Sequence, residues 1–107
     1  MENLGLTRMA KVEVVARAGD AGAVREQIEA AGARGFTSVG RVSGLGHHGY
    51  HEGGSLFNEQ DSLTLMITVV PVDRVDALVG ALRSFLELTP GVMFVSDTFV
   101  SRPEYFL

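Results

Sequence analysis

The chain has 107 residues, 46% hydrophobic and 21% charged, with a formal net charge of −4 and no cysteine. That length suits one domain, burying about two thirds of its unfolded surface, and leaves no room for a second. The composition excludes disulfides, thiolate nucleophiles and cysteine-ligated metals, and the acidic balance offers no basic footprint for a nucleic acid.

From Met9 to Ala16, Lys11 and Glu13 alternate with Val12 and Val14, which predicts a first strand with one buried face. After Gly19-Asp20, Val24, Ile28 and Ala31 recur at helical spacing, and Gly32 stands where a helix C-terminus favours glycine. Phe36 to about Val42 reads as a second strand. Leu63 to Val70 reads as a third, with Leu65, Ile67 and Val69 on one side. Pro71 ends it, Asp73 is placed to cap the next element, and Asp76 falls in that element's first turn. Val75, Leu78, Val79, Leu82, Phe85 and Leu86 then form the apolar stripe of a second helix. Thr89-Pro90-Gly91 breaks this helix, Val92 to Val100 reads as a fourth strand, and a short aromatic tail follows from Ser101.

Strand, helix, strand, strand, helix, strand is the ferredoxin-like βαββαβ plan, an α+β fold with an antiparallel four-stranded sheet and both helices on one face. The other sheet face and the edge strands then need a cover, so self-association is expected. The segment Leu63 to Val72 is interrupted by Thr64, Thr68 and Pro71, which excludes a membrane-spanning helix there. Met1 to Arg8 lack the basic region and apolar core of a signal peptide, so the cytoplasm is the expected compartment, without membrane insertion. Between the second and third strands runs Ser43-Gly44-Leu45-Gly46-His47-His48-Gly49-Tyr50-His51-Glu52-Gly53-Gly54. A long glycine- and histidine-rich loop that buries almost nothing in so short a chain reads as a ligand loop.

The motifs flanking this loop resemble those of the PII signalling family, in order and over nearly the whole chain. Gly35-Phe36-Thr37 resembles the Gly-Met-Thr that opens the second PII strand, and Ser43-Gly44-Leu45-Gly46 resembles the Lys-Gly-Phe-Gly that enters the T-loop. Val69-Val70-Pro71-Val72-Asp73-Arg74-Val75-Asp76 resembles Val-Val-Pro-Asp-x-x-Val-Asp, and Phe94-Val95-Ser96-Asp97 resembles Phe-Val-Ser-Asp of the last strand. The resemblance implies one non-enzymatic domain over 1–107, a homotrimer with nucleotide sites in the clefts between subunits, and a flexible T-loop at about 43–61. The departures point to the PII-like branch. The T-loop is shorter and lacks Tyr-Arg-Gly-Ala-Glu-Tyr, so Tyr50 inherits no modification role. One residue is inserted between Thr37 and Ser43. The loop's arginine and lysine become His47 and Gly49, Gly-Asp-Gly-Lys becomes Thr89-Pro90-Gly91-Val92, and the C-terminal arginine pair shrinks to Arg102 before Pro103. ADP or AMP is therefore favoured over ATP with 2-oxoglutarate. The carboxysome- or bicarbonate-transporter-associated members are the most similar, which implies bicarbonate as a second ligand. It also implies a protein target such as a transporter or enzyme of inorganic-carbon or nitrogen metabolism.

Chemically, adenosine needs a close-approaching backbone, a polar handle and apolar walls. Gly35 supplies the first, Thr37 a hydroxyl, and Phe36 or Leu45 a wall. The bland alternative is that Gly35 only turns the chain after the helix and Phe36 is core. Phosphate or bicarbonate needs converging donors. The backbones of Gly44, Gly46, Gly91 and Val92, with Arg41, His47 and Arg102, are the candidates, and surface charge is the alternative for each arginine. His47, His48 and His51, with Glu52 or Glu59, form an alternative transition-metal set, although the intervening glycines oppose the helix that would align them. Asp97, Glu59 and the histidines make no nucleophile, base and orienter pattern, so no catalytic residue is assigned.

Overall fold

A strand of small and β-branched residues, β1 (Thr7–Arg17), organises the computed structural model, which describes residues 4–46, 49–51 and 62–107. The helices α1 (Ala21–Ala30) and α2 (Val75–Leu86) pack over a sheet completed by β2 (Thr37–Val42), β5 (Leu63–Val70) and β6 (Gly91–Val100). Strand order is β2-β5-β1-β6, and each neighbouring pair is antiparallel. This is the ferredoxin-like βαββαβ arrangement. A separate two-stranded ribbon, β3 (Gly44–Gly46) with β4 (Gly49–His51), rises from the loop.

Register assigns the faces. Ala10, Val12, Val14 and Ala16 pair with Val70, Thr68, Met66 and Thr64, and all eight are buried beneath the helices. Val24 and Ile28 of α1 and Leu78 and Leu82 of α2 complete that core. Each such aliphatic side chain contributes on the order of 1.5–3 kcal/mol when withdrawn from water. The buried polar groups are satisfied. Among the described residues no buried side-chain nitrogen or oxygen lacks a partner.

The helix stripe and all four principal strands fall where the sequence places them. The termini differ in their chemistry. Asp73 does not cap α2, because a 3-10 turn, Val72–Arg74, intervenes and puts Arg74 at the N-cap with no side-chain bond. A similar turn, Ala18–Asp20, precedes α1, and Asp20 there accepts a hydrogen bond from Arg17 at 2.9 Å instead of capping. Gly32 terminates α1 with φ +90°, the left-handed geometry that spares glycine the Cβ clash.

The third predicted strand, β5, is apolar on both sides. Its smaller and more polar side chains, Thr64 and Thr68, face the helices, while Leu63, Leu65, Ile67 and Val69 point to the opposite face and are half-buried. Across that open face the register aligns Val39, Leu65, Val15 and Val92, and beside them Thr37, Ile67, Glu13 and Phe94. Phe94 is 53% exposed and Val92 47%.

Where β6 begins, Gly91 has φ +148°, and a Cβ there would lie 2.9 Å from Leu86 Cδ2 and 2.9 Å from the Val15 carbonyl oxygen. The oxygen belongs to the central strand and has no room to retreat. Gly35 is not in the left-handed region, and a Cβ there would meet nothing within 4 Å. In denaturant unfolding at fixed protein concentration, Gly91→Ala should lose roughly 1–3 kcal/mol. Gly35→Ala should change stability by no more than about 0.5 kcal/mol. Equal stability of the two variants would contradict this assignment.

Candidate functional site

The β2 side of the sheet carries the first group of candidate residues. Gly35 is not the residue that turns the chain after α1. Gly32 does that, and Arg74 Nη1 donates to the Gly32 carbonyl at 3.3 Å. Gly35 is instead tied down by its carbonyl, which accepts a 2.6 Å bond from the buried hydroxyl of Thr68. With neither its φ nor its surroundings demanding glycine, its bare backbone is available for close approach. Phe36 is not core. It is 37% exposed, and the Arg25 guanidinium carbon sits 5.7 Å from its ring centroid, within cation–π range. Thr37 is exposed on the open face and pairs with Ile67.

Further along β2 the pairing changes register. Thr37, Ser38 and Val39 oppose Ile67, Met66 and Leu65, but Val42 opposes Leu63, so three steps on β2 answer two on β5. The register shift is a β-bulge in β2. Its left-handed position is filled by Arg41, at φ 57°, while the preceding Gly40 keeps an ordinary conformation. Arg41 is exposed there, at the foot of the loop. Above it Gly44, Leu45 and Gly46 pair with His51, Tyr50 and Gly49, so the backbone near His51 is extended, not helical. His47, His48, Glu52 and Glu59 lie outside the described residues, as does 52–61 of the proposed T-loop. Among the described residues no three His, Asp or Glu side chains are grouped as a metal ion would require.

The second group lies on β6, at the opposite edge. Gly91 and Val92 begin the strand, and Arg102 follows its far end, roughly 30 Å away at about 3.3 Å per residue. Arg102 is exposed and held locally. Its Nη1 donates to the Tyr105 hydroxyl at 3.0 Å, and its guanidinium lies 5.7 Å from the Tyr105 ring centroid. Asp97 is also exposed and accepts from Arg8 at 3.2 Å, an ion pair that supplies no catalytic geometry.

The structure therefore divides the sequence-predicted site. Gly35, Phe36, Thr37, Arg41 and Gly44 to Gly46 belong to the β2 edge, and Gly91, Val92 and Arg102 to the β6 edge. Two strands separate these edges, about 15 Å across the sheet. One edge offers bare backbone, a hydroxyl and an aromatic face, and the other offers amides at one end of β6 and a guanidinium beyond the other end. A single chain presents two half-sites. Sequence reading missed three arginines around the first half: Arg25 on Phe36, Arg74 on Gly32, and Arg34, whose Nη1 donates to the Leu107 carbonyl at 2.6 Å. Only Arg34, directly before Gly35, had a local signal.

The bulge can be tested through the backbone alone. Arg41→Gly removes the left-handed penalty and Arg41→Ala keeps it, while both delete the side chain. The glycine variant should be the more stable by about 1 kcal/mol in denaturant unfolding. A more stable alanine variant would place Arg41 outside the left-handed region.

Residues 9–105 match the family model for nitrogen regulatory protein P-II. Among solved structures, the chain is similar to CPII, a nitrogen regulatory PII-like protein from Thiomonas intermedia K12, bound to ADP, AMP and bicarbonate. The identity is 37%, covering 94% of this chain and 95% of that one, with TM-score 0.86. A second CPII structure, bound to ADP and bicarbonate, matches at 32% identity over 95% of this chain and 97% of that one, with TM-score 0.84. The B. subtilis GlnK–ATP complex shares the fold at 20% identity over 91% and 84% of the two chains, with TM-score 0.60. No curated protein matches the chain by sequence.

Proposed function

Because the chain belongs to the P-II nitrogen regulatory protein family, whose members regulate and do not catalyse, we propose that it is a cytoplasmic signalling trimer binding an adenine nucleotide between copies of itself. The observation that carries this reading is the full-length likeness to CPII with ADP, AMP and bicarbonate bound. The division of the candidate residues supports it, since the half-sites meet only when the β2 edge of one copy adjoins the β6 edge of another. The apolar open face gives the copies a reason to associate.

In this reading Gly35 and Thr37 approach the adenosine, with Phe36 and Leu45 as walls. The amides of Gly44, Gly46, Gly91 and Val92 and, from a different copy than Gly91 and Val92, the guanidinium of Arg102 receive the phosphates. The Thr89-Pro90-Gly91-Val92 turn offers amides without a lysine, which favours the lower charge of ADP or AMP. Bicarbonate is held by Arg41 and His47 of one copy together with Arg102 of another. Ligand binding orders 43–61, and the ordered loop is read by a transporter or enzyme of inorganic-carbon or nitrogen metabolism.

Calorimetric titration of metal-free protein with ADP and AMP, with and without bicarbonate, tests the reading. Nucleotide should bind, bicarbonate should strengthen it, and nucleotide should strengthen bicarbonate by the same factor. Thr37→Ala should weaken nucleotide binding by up to about tenfold, one lost hydrogen bond. Arg102→Ala should weaken it by at least as much. No heat with either nucleotide would end the nucleotide reading, and nickel or zinc binding abolished by His47→Ala with His51→Ala would replace it by a metal-responsive one.

A further inference from the structure

In the middle of the open face, the central strand carries two charges. Lys11 pairs across the sheet with Val69 and Ser96, and Glu13 with Ile67 and Phe94. Val15, Leu65, Val39 and Val92 continue the apolar surface beside them. The two charges are neighbours on one face of β1, with Lys11 Nζ 3.8 Å from Glu13 Oε1, and their side chains are 36% and 28% exposed. That distance exceeds the roughly 2.7–2.9 Å of a charge-assisted hydrogen bond. Water satisfies much of the remaining capacity of the ammonium and the carboxylate while the face is open.

A partner that seats on this face removes the water. An apolar partner would strand both charges, and a surface of one sign would satisfy one and repel the other, both costly in a dry interface. A second copy of this chain brings one cation and one anion to the same place. Identical copies related by rotation about an axis near the pair can set each Lys11 against the next copy's Glu13, closing an alternating ring. We propose that Lys11 and Glu13 form such an inter-copy charge ring, which selects copies of this chain as the occupant of the open face. The proposal rests on the self-assembly reading above. It goes further in naming the residues that make assembly selective, while the surrounding apolar side chains supply the adhesion.

Size-exclusion chromatography with light scattering, on nucleotide-free protein over a dilution series, tests the ring. The wild-type chain should be a trimer. Lys11→Glu brings two carboxylates per copy and Glu13→Lys two ammonium groups, so each alone should associate at least about a hundredfold more weakly. The double swap Lys11→Glu with Glu13→Lys restores every contact and should assemble again, whereas an equal mixture of the two single variants should recover only in part, because a ring of three keeps one like-charged contact. Far-ultraviolet circular dichroism of the single variants shows whether they are folded. If both reversals unfold, Lys11→Met and Glu13→Gln leave one charge unanswered and should likewise dissociate the assembly. Wild-type-like association of the single variants, or a double swap that does not assemble, would overturn the ring and leave self-assembly standing. A monomeric wild-type chain would overturn both.

Discussion

Of the two central strands, β5 is apolar on both faces and β1 sets the charges of Lys11 and Glu13 into the face that the helices leave open. In β1 and β5 the alternation puts Ala, Val, Met and Thr beneath the helices, and on the opposite surface the Val, Leu and Ile side chains of β5 and Val15 around Lys11 and Glu13. Much of the free energy that orders the sheet comes from the helix-covered layer, closed by Ile28, Leu78 and Leu82. The far layer holds comparable hydrocarbon in contact with water. The edges β2 and β6, the half-sites they carry and the charged pair between them all take their meaning from that asymmetry.

A ligand site divided between two sheet edges makes occupancy and association one equilibrium under the proposed trimer. Nucleotide that contacts both edges binds the assembled form and not the separated chains, so it stabilises assembly by mass action. The local backbone suits this arrangement. Gly91 is fixed by the fold, packed against Leu86 and the Val15 carbonyl, while Gly35 is left bare by it. The hydroxyl of Thr68 ties the strand beneath the core to the Gly35 carbonyl, so the β2 half-site is anchored to the helix-covered layer. The Arg41 bulge gives the loop its own bend at the point where it leaves the sheet.

The parts legible in the sequence are those governed by periodicity. The stripe from Val75 to Leu86 and the alternation of Val12 and Val14 each repeat a local rule several times, so their elements fall where expected. The parts that were not legible depend on a single residue's choice among competing partners. Asp20 could have capped α1 but bonds to Arg17, and the residues around Asp73 tighten into a 3-10 turn. Alternation also left open which face of β5 meets the helices, because both are apolar, and only the cross-strand register decides it. Arg25 reaches Phe36 through tertiary contact alone. The candidate residues themselves were found through motif resemblance, and their division between opposite edges is a property of strand order that no motif states.

Strand order also fixes when the sheet can be completed. β1, the first strand made, lies between β5 and β6, the last two made, and the pairing of Thr7 with Val100 joins nearly the full length of the chain. Such non-local closure belongs to the slower folding classes. During synthesis β1 therefore waits, with both hydrogen-bonding edges unpartnered, until β5 and β6 have followed it out of the ribosome. That interval is when the unpaired central strand is most open to chaperones or to misassociation.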